Sequence, residues 1–151
     1  MMVREQSMPL GCPVDFYLDL YQPAAVHRRK DETQRDSYLQ ILASVSHSMS
    51  VEGCRHHVIW FDSRTGDVCR YRIENEENIF EMLFQLGQLS VYHDKKDLQE
   101  LYRQKYHETP GVTCLELTTE LTLKKNGEVE ARYSGDVSDI ERQLGAKELV
   151  V

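Results

Sequence analysis

Residues 115–133 read Leu-Glu-Leu-Thr-Thr-Glu-Leu-Thr-Leu-Lys-Lys-Asn-Gly-Glu-Val-Glu-Ala-Arg-Tyr. Apolar and polar residues alternate on both sides of Asn126-Gly127, which is the pattern of two half-buried antiparallel strands and their turn. Leu115, Leu117, Leu121 and Leu123 share one face of the first run, and Val129, Ala131 and Tyr133 one face of the return. A two-residue Asn126-Gly127 turn would set Leu123 opposite Glu130 and mismatch the faces. A three-residue loop, Lys125-Asn126-Gly127, sets Leu123 opposite Val129 and Leu121 opposite Ala131, with Gly127 in the left-handed position. The three-residue loop is therefore expected. The other face carries Glu116, Glu120, Glu128 and Glu130 with Arg132, an acidic surface suited to a basic partner.

Upstream, Leu98, Leu101, Tyr102 and Tyr106 form a helical stripe, with Asp94 as its expected N-cap and Thr109-Pro110-Gly111 as its stop. Ile79, Met82, Leu83 and Leu86 form another stripe, weakened by Gly87. His57–Phe61 and Val68–Ile73 read as strands joined by a polar loop containing Gly66. The first is apolar on both faces and so expected in a sheet interior. Tyr38, Ile41, Leu42, Val45 and Met49 define a helix from about Glu32 to Met49, with Asp31 as its cap. Val14–Tyr21 fits either a strand or one helical face. Residues 1–12 are expected to be poorly ordered, since Met8-Pro9-Leu10-Gly11-Cys12-Pro13 carries two prolines and a glycine.

The expected fold is a single α+β domain over 1–151: an antiparallel sheet of hairpins packed against helices on one face. The 151 residues suffice for a hydrophobic core, and 40% are apolar. No apolar run is long enough to cross a bilayer and no secretory signal is read at the N-terminus, which points to the cytoplasm. Net charge is −7, from 25 acidic and 18 basic residues. That balance opposes nucleic-acid binding, which needs a clustered positive surface, and favours a cationic protein partner.

No phosphate-cradling glycine loop, nucleophile elbow or zinc-protease motif is present. Cys12, Cys54, Cys69 and Cys114 are scattered and form no Cys-x-x-Cys pair. Cys54-Arg55-His56-His57 is the best metal-like or nucleophilic cluster, but a structural zinc needs four ligands and none of the rest is in sight. No catalytic residue, metal or cofactor is expected.

The segment Tyr102–Asp136 carries a resemblance: a helix end, Gly111-Val112-Thr113, the Leu/Thr-rich run 115–123, Asn126-Gly127-Glu128-Val129 and Ala131-Arg132-Tyr133. It resembles the YezG-like family of bacterial immunity proteins and antitoxins. Val112-Thr113 stands where that family shows Trp-Thr, and Glu128-Val129 where it shows Lys-Phe. The resemblance implies a cytosolic protein, encoded beside a toxin, that blocks it by direct binding; the chain itself is expected to be a monomer or homodimer and its toxin to be basic. The toxin would be a nuclease of a contact-dependent or secreted competition system. From the charge pattern, not from the resemblance, the expected contacts are Glu116, Glu120, Glu128 and Glu130, with Tyr92 and Asp94 as a second set. The alternatives are a small enzyme built on Cys54, His56 and His57, and a secretion chaperone or adaptor.

Overall fold

The computed structural model describes residues 14–22, 28–86, 91–107, 113–134 and 137–146. Residues 1–12 and Cys12 among them lie outside. Ten elements follow in chain order: β1 (Val14–Asp19), α1 (Arg28–Val51), β2 (His56–Asp62), β3 (Asp67–Ile73), α2 (Glu76–Leu86), α3 (Leu98–Tyr106), β4 (Thr113–Thr118), β5 (Thr122–Lys125), β6 (Glu128–Arg132) and α4 (Val137–Ala146). The class is α+β, and the six strands form one sheet in the order β3-β2-β1-β4-β5-β6.

The expected all-antiparallel sheet is corrected at its centre. β1 runs parallel to both neighbours, with Phe16 beside Val58 and Leu115, and Leu18 beside Trp60 and Leu117. The sheet is therefore mixed. Two antiparallel units, β2–β3 and β4–β5–β6, flank a strand that arrives from far away in sequence. The centre of the sheet also explains why Val14–Tyr21 was ambiguous. A strand covered on both faces loses the alternation that marks a half-buried one; Val14 to Leu18 are all buried, Asp15 included.

Helices cover both faces, not one. Ile41, Leu42 and Val45 of α1, Ile79 and Met82 of α2 and Ile140 of α4 pack on Phe16, Leu18, Val58, Trp60, Leu115, Leu117 and Leu123. On the reverse face, Leu98 and Tyr102 of α3 pack on Tyr17, Ile59 and Val68. Lys105 ties α3 to the edge strand, donating to the Asp67 carboxylate at 2.8 Å and to the Val68 carbonyl at 2.7 Å. Two helix starts also differ from expectation. α1 begins at Arg28, ahead of Asp31, and the N-cap of α3 is Asp97, whose carboxylate accepts the Glu100 N–H. No element was expected over 137–146, where α4 forms.

The long run 115–123 is two strands. A turn at Thr118–Leu121 folds β5 back on β4, so Leu117 pairs with Leu123. Leu121 takes φ 62° there and keeps its side chain buried. The second hairpin has the two-residue turn, not the three-residue loop. Lys125 faces Glu128, and Asn126 and Gly127 sit at φ 52° and 87°, as a type I′ turn demands. The face mismatch that this turn would create is removed by an irregularity between Leu123 and Lys124, which brings Leu123 opposite Ala131. One extra residue in β6 restores the apolar face.

Candidate functional site

The hairpin carboxylates do not share one acidic face. Glu116 is half-buried and stands cross-strand from Lys124, on the α3 side of the sheet. Burial, then the nearby Asp19, pushes its pKa up, while Lys124 opposes them. Lys125 pairs with Leu115 and with Glu128, which puts Glu128 on the opposite face from Glu116. Glu120 is exposed in the turn between β4 and β5, and Glu130 is exposed at the irregularity. With Lys124, Lys125 and Arg132 among them, these acids form a nearly charge-balanced surface. Strand alternation along the sequence groups the glutamates; cross-strand pairing adds Lys124 and Lys125.

Tyr92 is corrected as an accessible contact. It is buried with its ring edge-on to Phe61 at 5.6 Å, and its backbone bridges Leu20 and Gln22. Burial pushes its hydroxyl up to about 12. Asp94 is exposed, followed by exposed Lys95 and Lys96.

The cluster Cys54, His56, His57 does not converge. Strand alternation sends His56 and His57 to opposite faces. His56 is fully buried. Its Nδ1 lies 3.2 Å from the Cys54 carbonyl and its Nε2 3.1 Å from Ser46 Oγ, so a neutral ring donates to the carbonyl and accepts from the hydroxyl. Desolvation pulls its pKa from 6.5 down to about 4, against the pull of that carbonyl. The ring is thus a neutral structural bridge between α1 and β2. His57 lies 3.7 Å from the buried Asp15 carboxylate beneath α3. The thiols of Cys54, Cys69 and Cys114 are all pushed up, chiefly by burial, which disfavours the nucleophilic thiolate. Among the described residues, no three His, Cys, Asp or Glu side chains are grouped to hold a metal ion.

The surface that stands out is on α2. Ile79, Met82 and Leu86 turn inward, as the stripe predicts. Phe80 and Phe84, four residues apart and so on one line, turn outward and remain 64% and 89% exposed. Around them lie Glu76, Glu77 and Glu81, all exposed, and α2 contains no Lys or Arg. Glu76 and Glu77 occupy the first turn, where the helix dipole favours anions. Glu81 is fixed as an anion: it accepts from the Asn78 amide and from the Tyr71 hydroxyl, each at 2.9 Å, and these bonds hold its pKa below the usual value.

Beside this face, a groove of about 330 Å³ runs between α1 and α2. Ala43, Ser44, His47 and Ser48 form one wall, and Glu76, Ile79, Phe80 and Leu83 the other. The His47 ring approaches the Glu76 carboxylate to 3.9 Å. The sequence held a signal for this surface. Ile79, Phe80, Met82, Leu83, Phe84 and Leu86 are too many apolar residues for a single stripe, and the excess had to face elsewhere. Compared with protein-family models, with curated proteins and with solved structures, the chain matches none of them.

Proposed function

We propose that this chain is a non-catalytic binding protein that neutralises a cationic protein by covering it, in the manner of an immunity protein or antitoxin. The observation that carries the reading is the solvent face of α2, where two exposed phenylalanines sit among three glutamates with no cation on the helix. Monomeric proteins rarely leave an aromatic pair in water without a use. Aromatic side chains supply affinity when a partner buries them, while carboxylates steer a basic partner in and speed its arrival. The overall charge of −7 adds to that long-range attraction.

His56 is consumed in a structural bridge, and partial burial pushes the thiols of Cys54, Cys69 and Cys114 up, away from the nucleophilic thiolate. The partner class that fits is a basic toxin, such as a nuclease, in the cytoplasm of the cell that must be protected. The test is co-expression with the protein encoded beside it. The reading requires that this neighbour be cationic, that it be toxic alone and that the chain relieve the toxicity through a stoichiometric complex. Toxicity unrelieved by the chain, or no complex between the two, would refute it.

A further inference from the structure

We propose that the groove between α1 and α2 is the seat of a basic amphipathic helix of the partner; this deepens, and rests on, the binding role above. Three features of the groove select that occupant. The first is shape. Its walls come from 43, 44, 47 and 48 on α1 and from 76, 79, 80 and 83 on α2, one face of each helix over about two turns, or roughly 10 Å. A valley between two helices accepts a third helix laid along it, ridge into groove.

The second is depth. Ala43, Ser44 and Ser48 are small, so the α1 wall is low and a visiting backbone can approach closely. Ile79 and Leu83 provide an apolar floor, with the exposed Phe80 at its side and Phe84 one turn beyond it. The third is charge. Glu76 lines the groove, Glu77 and Glu81 add two more exposed carboxylates on the same helix outside it, and among the described residues the imidazole of His47 is the one basic side chain lining the groove. Those carboxylates repel anionic lipid headgroups and nucleic-acid phosphates, and they attract lysines and arginines flanking an apolar stripe.

The experiment uses the full chain and a synthetic probe. The probe is a peptide of about 14 residues with leucines at helical i, i+3, i+4, i+7 spacing and lysines elsewhere. Control peptides replace its lysines by glutamate, or its leucines by serine. Backbone amide NMR shifts are followed during titration. The expected result is saturable one-to-one binding of the Lys/Leu peptide alone, with the largest shifts at Ala43–Ser48 and Glu76–Phe84. The double variant Phe80→Ser, Phe84→Ser should weaken binding at least tenfold, as should Glu76→Lys, Glu77→Lys. The phenylalanine pair is exposed, so its replacement should leave thermal unfolding unchanged; the glutamate pair sits in the first turn of α2, so its reversal should lower the unfolding temperature by a few degrees. Either pair suffices if the other fails to fold.

Shifts centred elsewhere, or binding indifferent to both double variants, overturn the proposal. A mass that doubles with concentration and returns to monomer with Phe84→Ser, without peptide binding, assigns the groove to a second copy and overturns it too. The two readings fail separately. If the cationic neighbour is bound with full affinity by the Phe80→Ser, Phe84→Ser chain, the groove is wrong and the binding role stands. If the neighbour is not bound at all, the role itself falls.

Discussion

His56 should make the stability of the fold depend on pH in a calculable way. The perturbation is a change from pH 8 to pH 5, compared between the natural chain and His56→Gln. In the folded protein the ring is fully buried between Ser46 and the Cys54 carbonyl, with its pKa lowered from 6.5 to about 4. The unfolded chain therefore binds more protons than the folded one in the window between those values, so stability rises with pH there. The contribution is fully present above pH 6.5 and is lost as pH falls toward 4. A gap of two to three units corresponds to about 3 kcal/mol in full, of which about 2 kcal/mol is lost by pH 5. With a urea slope of about 1–3 kcal/mol per molar, the midpoint should drop by roughly 1 M between pH 8 and pH 5. His56→Gln is less stable at pH 8, having lost a fitted bridge, but should lack most of that drop. Ring titration by NMR gives the same answer directly. A His56 that titrates near 6.5, or identical pH dependence in the two chains, would refute the neutral buried bridge and reopen a role for this ring in proton transfer.

Other outcomes follow from the packing. Tyr38→Phe should cost about 1–2 kcal/mol by chemical denaturation, since its buried hydroxyl donates to the Leu117 carbonyl at 2.7 Å and ties α1 to β4. Tyr92→Phe should be neutral or stabilising by up to about 1 kcal/mol in the same assay, because its buried hydroxyl has no hydrogen-bond partner among the described residues. Gly127→Ala should cost about 1 kcal/mol or more in thermal unfolding, since Gly127 holds φ 87° and a Cβ there meets no neighbour, leaving backbone strain as the whole effect.

What could be read from the sequence was local. The inward stripes of α1 and α2, the β2–β3 hairpin and the Asn126-Gly127 turn each announce themselves within about twenty residues, because their periodicity or turn chemistry is contained in them. What could not be read depended on partners distant in sequence. β1 is buried on both faces because β2, β4 and helices from two sides meet it, and its own residues do not say that its neighbours run parallel. The hairpin register departs from its pattern for a local reason. A two-residue turn on regular strands mismatches Leu123, yet the chain keeps the turn and corrects the mismatch with one extra residue in β6.

The candidate site shows the same division. The excess of glutamates near the hairpin was visible, but Lys124 and Lys125 offset it only once cross-strand pairing is known. Tyr92 was named for its amphipathic ring and is in fact buried against Phe61. Phe80 and Phe84 were legible as surplus apolar residues on α2; that they lie in water beside a groove is a property of how α2 sits on α1.

The measurement that bears most directly on the account is the association rate of the cationic protein encoded beside this chain. It should be taken across a salt series with two charge-reversed variants. With Glu76→Lys, Glu77→Lys, the rate should fall at least tenfold at low salt and its salt dependence should flatten, because the steering carboxylates have been reversed. With Glu120→Lys, Glu128→Lys, it should change far less, since Lys124 and Lys125 already offset that surface. An unchanged rate for the α2 variant, with a large loss for the hairpin variant, would contradict the assignment of the binding surface to α2.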